Sequence, residues 1–328
     1  MATTAEDTIL SQYVPGFRAN LNLAPQQTVS RLLDAVDSDI AYGEPGQFFN
    51  ADDVGLTDPE PISARAPDTP DKFIQTTRRI GMFAGWNDAQ WIDNIDKARE
   101  LVDPTSKIMA ALMAGRWRHV DQQILTGLVG NAFALTSTLQ AASGITTSAI
   151  PSAQIVASTD VQYQPDSEVL PSDGSQYGLS VAKMIHAKLI LDEAELEGER
   201  YAAISSFQLA DLLRRTPATS RYYNDVVALN KGELSHFLGF NIVRMQAKRW
   251  ISAGAYTVGH DGTTPIYQCP FWIRDALVYR GRPITEAQIF RRPDKSMTPQ
   301  AFYKIEDGAV RRYDTAVVRV DCYAGAAY

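Results

Sequence analysis

The sequence has little cysteine and no long apolar run. Only Cys269 and Cys322 occur among 328 residues, and no CxxC spacing accompanies either, so neither a disulfide framework nor a zinc site is predicted. We expect both to lie in strands as small apolar residues. The longest apolar run is far below the roughly 18 residues that a membrane helix needs, and the first residues lack the basic and apolar regions of a secretory signal. These features predict a soluble intracellular protein with no membrane partner.

Positive charge is not in excess either. The chain has 31 Lys and Arg residues against 38 Asp and Glu residues, a formal net charge of −7. Free-standing nucleic-acid binders rely on clustered Lys and Arg, so this charge balance argues against a protein of that class. It does not exclude a protein that only encloses nucleic acid. Residues 51–72 are mainly acidic and 274–295 mainly basic. Such regions suit contact between copies, and two solvated faces are an equally good interpretation.

Catalytic motifs are also absent. There is no GxGxxG, GxxxxGKS/T, HExxH or GxSxG pattern, so no phosphate-binding loop or nucleophile turn is predicted. Four histidines lack metal-ligand spacing and are interpreted as surface or helix-face residues. They are His119, His186, His236 and His260.

Two carboxylate pairs and three tryptophans are the remaining candidates for chemistry. Acid–base catalysis requires burial that raises the pKa of one carboxyl group, whereas both pairs lie in charged, helix-like sequence that favours a solvated face. The tryptophans are interpreted as core or interface anchors. These residues are Asp93 with Asp96, Asp192 with Glu193, and Trp86, Trp91 and Trp117. The sequence therefore predicts no catalytic, cofactor-binding or metal-binding residue.

A long amphipathic segment follows residue 103. Asp103 suits an N-cap and Pro104 the first helical position, so a helix is predicted to begin there. Apolar residues recur at intervals of three and four up to about Gly130 and form one stripe, which includes Trp117, Val120, Ile124 and Leu128. A helix of that length measures roughly 36–40 Å. Its long, narrow stripe favours packing across a sheet.

The rest of the chain mixes helical and strand patterns. A modest helix is predicted in 25–40, an extended excursion in the Pro-rich 43–70, and strands in 71–86. Residues 131–178 read as a loop-rich insertion with short strands. A helix capped by Ser180 is predicted to run to Glu197, and alternating strands and helices follow. The end of the chain is predicted to be rich in strands.

One block carries a family resemblance. The segments "DTPDKFIQTTRR", "WNDAQWIDNIDKARELVDPTS" and "MAGRWRHVDQQILTGLVGNAF" resemble the central part of the major capsid proteins of tailed bacteriophages, in the branch of short-tailed, N4-like phages. "QQTVSRL" near Gln26 and the closing strands resemble the two ends of those proteins. The resemblance spans most of the chain and is weakest in 131–178.

The resemblance implies the HK97-like capsid fold, of the α+β class. Its parts map onto the chain as an N-terminal arm (1–42), an extended hairpin called the E-loop (43–90), a first part of the peripheral domain (91–178), an axial domain (179–265), and a second part of the peripheral domain with closing strands (266–328). The first peripheral part contains the spine helix (about 104–129) and the loop-rich insertion (131–178).

The implied function is that of a major capsid protein that self-assembles into the icosahedral shell around a double-stranded DNA genome. The implied partners are further copies of the chain in hexamers and pentamers, together with scaffolding and portal proteins. A decoration protein is a further candidate partner. DNA would be enclosed without sequence-specific binding, and assembly would take place in the cytoplasm of the host bacterium. No cofactor and no enzymatic activity are implied. Some proteins of this fold form Lys–Asn cross-links, but Lys72 in the E-loop is interpreted as solvated.

Two alternatives stay open at this stage. The first is a compartment shell of the encapsulin type, which shares the fold and encloses cargo protein. The second is a cytosolic α/β enzyme whose site is assembled from scattered residues such as Asp93, Asp192, Arg78 and His186.

Overall fold

The computed structural model describes most of the chain between residues 25 and 324. The described residues are 25–41, 43, 45–55, 57–62, 65, 74, 76–92, 105–135, 145–163, 176–215, 235–259 and 261–324. They contain four α-helices: Thr105–Val129 (α1), Val181–Glu193 (α2), Ser206–Arg215 (α3) and Ala247–Ala253 (α4). Within these residues, no helix combines the length and apolar character that a membrane crossing requires.

The described residues form fifteen strands in three sheets. The strands are Asp37–Asp39 (β1), Phe48–Val54 (β2), Thr76–Met82 (β3), Ala84–Trp91 (β4), Ala132–Leu135 (β5), Ile145–Ser148 (β6), Ile155–Val156 (β7), Arg200–Ser205 (β8), His236–Phe237 (β9), Phe240–Met245 (β10), Tyr256–Val258 (β11), Pro265–Ile273 (β12), Leu277–Arg292 (β13), Thr298–Arg311 (β14) and Val317–Tyr323 (β15). The sheet orders are β1-β13-β14-β4, β2-β3-β5-β6 and β7-β15-β12-β8-β10-β9, with β11 paired to β12. This mixture confirms the α+β class.

The chain divides into two compact units. The first comprises Met1–Val29, Asn87–Trp117 and Thr285–Lys304, and the second Ser30–Trp86, Arg118–Ile284 and Ile305–Tyr328. In the described part of the first unit, Ile92 N donates to Pro299 O over 2.9 Å. The second unit contains the seven-stranded sheet and most of the buried core.

The predicted spine helix is confirmed as α1, which starts directly after Asp103-Pro104 and has 25 residues. At 1.5 Å per residue it is about 37 Å long. Val120, Ile124 and Leu128 of the predicted stripe are at most 2% exposed. A Cβ atom on Gly127 would lie 2.7 Å from Ala309 Cβ, so glycine permits close packing of α1 on β14. The apolar period therefore predicted the buried face correctly from Val120 to Leu128, whereas Trp117 of the stripe is half-buried.

The helix predicted in 25–40 is wrong. The structure has a single 3-10 turn, Leu33–Ala35, followed by β1, which pairs in parallel with β13. Backbone donors that a helix would use are taken elsewhere, since Arg31 N and Leu32 N both donate to Asp121 Oδ1. Contacts distant in sequence thus override a modest local helical preference.

The seven-stranded sheet contains the two strands predicted within 179–245, here β8 and β10. Strand β8 pairs in parallel with β10, and β12 pairs antiparallel with both β8 and β15. The predicted strands and helices of this region are present, although α2 ends at Glu193 rather than Glu197. Because β12 and β15 join this sheet while β13 and β14 join another, residues 266–328 contribute to two sheets. The names and boundaries of the domains remain predictions.

Ser180 caps α2 as predicted, and replacing it is expected to destabilise the subunit. Its side chain, fully buried, accepts a hydrogen bond from Lys183 N at 3.3 Å. Ser180→Ala should lower the free energy of unfolding by about 1 kcal/mol, because one helix donor loses its acceptor. Urea unfolding of unassembled subunits measures the change. The exposed Ser252→Ala in α4 is the control and should be neutral or slightly stabilising; equal losses in both variants would contradict the capping role.

Candidate assembly surfaces

Strands β2 and β3 form an antiparallel hairpin whose two ends differ in exposure. Its register runs from Phe48↔Met82 to Val54↔Thr76. Near the first pair, Phe49 and Ile80 are 2% and 7% exposed, whereas Val54 is 65% exposed. The base of the hairpin is therefore buried on the face of Phe49, although Phe48 and Met82 of the first pair are 43% and 44% exposed, and the outer part faces solvent, within the range predicted as the E-loop.

A cross-strand ion pair joins the two strands of the hairpin. Asp52 lies directly opposite Arg78. Arg78 Nε donates to Asp52 Oδ1 at 2.6 Å and Nη2 donates to Oδ2 at 2.9 Å. The hydrogen bond lowers the pKa of Asp52 and raises that of Arg78. Both side chains are about half exposed, so the pair fixes the strand register more than it stabilises the fold.

The base of the hairpin is built around the Phe49 ring. Phe49 packs with Ala51, Ala132, Val278 and Val310 in one buried cluster. A Cβ atom on Gly81 would lie only 2.0 Å from Phe49 Cζ. The aromatic ring thus lies directly against the backbone of β3, which requires glycine at this position.

A second anchor at the base is a group of polar residues that we call the basal cluster: Arg79, Ser148, Arg311 and Asp314. Asp314 Oδ2 accepts from Arg79 Nη2 at 2.6 Å and from Ser148 Oγ at 3.0 Å. Asp314 Oδ1 accepts from Arg311 Nε at 2.6 Å. One carboxylate therefore joins β3, β6 and the end of β14.

Arg311 extends the basal cluster to the end of α1. Its side chain is 0% exposed, and its Nη1 donates to Gly130 O at 2.7 Å and to Leu128 O at 3.3 Å. Its Nη2 donates to Ser148 O at 3.2 Å. The bonds to Leu128 O and Gly130 O satisfy carbonyl groups that the end of α1 leaves without intrahelical partners. Burial lowers the pKa of Arg311, and the contact with Asp314 opposes that effect.

The basal cluster predicts a loss of stability in acid. Burial alone would raise the pKa of Asp314, but hydrogen bonds and charge from Arg311 and Arg79 outweigh it, so the pKa lies below the ordinary value of 3.8. A lowered folded-state pKa stabilises the fold fully above the unfolded pKa, and this contribution disappears as the pH falls through the folded pKa. Urea unfolding midpoints should therefore fall less between pH 6 and pH 3 in Asp314→Asn than in wild type. Parallel pH profiles of the two would contradict this assignment.

Arg282 makes a further contact at the base. Its Nε donates to Glu306 Oε2 at 2.9 Å and its Nη2 to Gly46 O at 2.7 Å. The guanidinium also lies 4.4 Å from the centre of the Phe83 ring, a cation–π distance. Arg282 thereby fixes the chain just before β2.

Three of the four histidines lie in the described residues. His119 Nε2 is 3.3 Å from Asp307 Oδ2, and its ring centre lies 4.5 Å from that of Trp86. His186 Nδ1 contacts Asp160 Oδ2, whereas His236 is exposed. His260 lies outside the described residues. The structure brings none of the three described histidines together with another.

The other sequence candidates do not gather into a site either. Asp192 forms an ion pair with Arg200 at 2.6 Å, and Glu193 is exposed. Asp93, Asp96 and Lys72 lie outside the described residues. Among the residues that are described, no group of three or more His, Cys, Asp or Glu side chains could bind a metal ion.

The tryptophan and cysteine predictions can be compared directly. Trp86 and Trp91 are 43% and 41% exposed, and Trp117 is half-buried, so none of the three is a fully buried core residue. Cys269 and Cys322 lie in β12 and β15 and are fully buried, as predicted, and burial raises the pKa of the Cys269 thiol.

In the first unit, an exposed apolar and basic surface surrounds the turn between β13 and β14. The Arg292 and Lys295 cationic groups lie 5.5 and 5.2 Å from the centre of the Trp91 ring. Phe290 and Met297 beside this turn are 41% and 56% exposed. Aromatic residues, Met and Arg are enriched in protein interfaces, and Trp91, Phe290, Met297 and Arg292 are of these types.

Comparison with known proteins identifies the family. The sequence profile described as "Phage capsid protein" matches residues 9–324. The capsid of Ralstonia phage GP4 is similar in structure, with a TM-score of 0.71 and 11% identity over 95% of this chain and 96% of that one. The capsid of cyanophage Pam1 has a TM-score of 0.67 and 12% identity, over 95% of this chain and 96% of that one. The acid-stable capsid of Helicobacter pylori bacteriophage KHP30 has a TM-score of 0.61 and 10% identity, over 99% of both chains. No curated protein matches the sequence.

The structural likenesses have low identity and establish the HK97-like capsid fold, while the profile establishes the family over nearly the whole chain. Neither the compartment shell nor the cytosolic enzyme is favoured by these matches, and they do not single out the N4-like branch. The chain belongs to the phage capsid protein family and is a major capsid protein that forms the shell of the virion.

Proposed function

We propose that copies of this subunit assemble as hexamers and pentamers of an icosahedral shell, and that the hairpin β2–β3 reaches across to a neighbouring copy. The observation that carries this proposal is the contrast between the two ends of the hairpin. Its base is anchored by Phe49 and the basal cluster, whereas Val54, Ile62 and Ile74 beyond it are 65%, 82% and 44% exposed. Burial of such exposed apolar side chains by another chain is favourable.

Charge supports the same contact between copies. Asp52, Asp58 and Glu60 on the hairpin side are exposed, as are Arg291 and Lys295 near the turn between β13 and β14. An acidic projection that meets a basic surface on the next copy would guide assembly and disfavour wrong registers. Heterologous contacts of this kind close into rings when the rotation between copies permits.

The remaining proposals concern contents and partners. A shell subunit with a net charge of −7 would enclose double-stranded DNA without sequence-specific binding, because it has no excess of cationic groups for phosphate contacts. We propose separate scaffolding and portal proteins, with a decoration protein as a further candidate, and assembly in the cytoplasm of the host bacterium. The subunit would act as a structural protein and not as an enzyme.

Negative-stain microscopy of expressed protein tests the role of the hairpin. Val54→Asp places a charge on its exposed outer part and should reduce the yield of closed particles at least tenfold, because the contact with the next copy would bury that charge. Val258→Asp in β11, where Val258 is 57% exposed, is the matched control. Circular dichroism of unassembled subunits should be equal in all three proteins. Wild-type particle yields from Val54→Asp would contradict the proposal.

A further inference from the structure

Residues 30–39, which we call the strap, cross several elements of the second unit. At the start of the strap, Asp121 of α1 accepts three hydrogen bonds through one oxygen. Ser30 Oγ, Arg31 N and Leu32 N donate to its Oδ1 over 2.6, 2.9 and 3.1 Å. Asp121 is only 1% exposed. Consecutive backbone N–H groups around one carboxylate form an anion-binding nest.

The middle of the strap contacts the seven-stranded sheet. Arg31 Nη1 donates to Arg244 O of β10 at 2.5 Å, and Trp272 Nε1 of β12 donates to Ala35 O at 2.8 Å. Leu32 and Val36 are at most 2% exposed. These two polar contacts and a few apolar side chains fix the strap to this sheet.

The end of the strap belongs to a different sheet. Asp37–Asp39 pairs in parallel with β13 as an edge strand. The Asp37 carboxylate lies 3.2 Å from Arg280 Nη1 and 3.0 Å from Arg312 Nη2. Within ten residues, therefore, the strap connects the long helix, the seven-stranded sheet and a four-stranded sheet.

The way the strap is attached allows it to open as a unit. It is only ten residues long, and between the two carboxylates that hold its ends, Asp121 and Asp37, its buried apolar side chains are Leu32, Ala35 and Val36 alone. Segments with few buried contacts open locally at a free energy below that of global unfolding. If the Asp121 carboxylate were removed, Arg31 N, Leu32 N and the Ser30 hydroxyl would lose their acceptor, and a buried donor without a partner is costly.

Asp121 also affects the charges around it. Burial lowers the pKa of Arg249, the charge of Arg118 lowers it further, and Asp121 opposes both effects. Removing Asp121 would therefore leave two neighbouring cations without this compensation. The carboxylate is suited both to binding the strap and to neutralising this part of the second unit.

We propose that the strap is a conformational device closed by Asp121 and Asp37, and that a subunit joins the shell only with the strap closed. The second part rests on the proposed function. Repeated contacts between identical copies require that the elements that form those contacts keep the same arrangement in each copy. With the strap open, the long helix and the two sheets lose a shared connection, so the subunit samples shapes that do not fit its neighbours.

Hydrogen–deuterium exchange of the unassembled full-length chain tests the first part. Asp121→Ala should increase exchange in residues 30–36 at least tenfold. Asp121→Asn should have a much smaller effect, because its side chain retains the single oxygen that accepts all three bonds. Asp34→Ala is the matched control, since Asp34 is an exposed carboxylate inside the strap, and it should exchange like wild type.

Particle counts by negative-stain microscopy test the second part with the same variants. Asp121→Ala should lower the yield of closed particles at least tenfold, while Asp121→Asn and Asp34→Ala should assemble like wild type.

Unchanged exchange in Asp121→Ala would overturn the proposal that Asp121 closes the strap, whether or not shells form. Faster exchange with normal particles would overturn the requirement for closure. If Asp121→Ala does not fold, Asp37→Ala removes both oxygens at the other end of the strap and decides both questions by the same two measurements. If wild type forms no particles, the proposed function fails while the exchange result still decides the strap.

Discussion

Arg311→Ala is expected to lower the free energy of unfolding of the unassembled subunit by about 3–5 kcal/mol, the range for breaking a buried ion pair from one side. Arg311 is fully buried and donates to the Asp314 carboxylate and to the Leu128, Gly130 and Ser148 carbonyl groups. The alanine variant loses all four contacts and leaves Asp314 with Arg79 as its remaining cationic partner. Guanidinium unfolding, followed by tryptophan fluorescence, measures the change.

Arg78→Ala is the control for this experiment. Arg78 carries the same charge and lies one residue from Arg79 of the basal cluster, but its ion pair with Asp52 is half exposed. Exposed pairs contribute little to stability because solvent screens them. Similar losses from Arg78→Ala and Arg311→Ala would show that burial and the carbonyl contacts do not set the stability, and our account of the base would then be wrong.

The features that sequence reasoning predicted correctly are those set by nearby residues. The long helix begins at Thr105, directly after the predicted start signal, and Val120, Ile124 and Leu128 on its buried face follow the apolar period. The cap at Ser180 is likewise formed with the backbone of Lys183, three residues on. Both signals are local, so neighbouring residues were sufficient to find them.

The strap and the basal cluster could not be predicted because their contacts are distant in sequence. Asp121 lies among polar residues of an amphipathic helix, and nothing nearby indicates that Ser30, 91 positions away, donates to it. Arg311 and Arg312 are adjacent and alike in sequence. Only the packing shows that Arg311 is fully buried at the helix end while Arg312 contacts the partly exposed Asp37. Arg311 is the last residue of β14 and Arg312 follows the strand, so no periodic pattern says which of the two is covered.

These observations give the hairpin and the strap a common physical basis. Each is an extended segment with little apolar core of its own. Each is attached to the rest of the second unit by buried carboxylate or arginine contacts. Extended segments increase the area available to neighbouring copies, and their attachment reduces the conformational entropy that ordering them would cost. For a shell subunit, such attachments allow long contacts without a large increase in the core.

Gly81→Ala is expected to displace the Phe49 ring and to destabilise the subunit by about 1–3 kcal/mol, the usual cost of overpacking a filled site. The added Cβ would lie 2.0 to 2.4 Å from three atoms of the ring, so the ring must leave its position or β3 must move. Guanidinium unfolding of unassembled subunits gives the loss of stability. Gly85→Ala is the matched control on β4, since its nearest neighbour would be Glu306 Cγ at an ordinary 3.8 Å.

A double-mutant cycle distinguishes a clash with Phe49 from a general effect on the strand. Phe49→Ala alone should cost about 3–5 kcal/mol, because it empties the buried cluster at the base of the hairpin. In the variant that carries both changes, the new methyl group no longer meets a ring, so the combined loss should fall short of the sum by at least about 1 kcal/mol. Additive losses would mean that Gly81 is needed for its backbone alone, and the direct contact between ring and strand would then not be what fixes the hairpin.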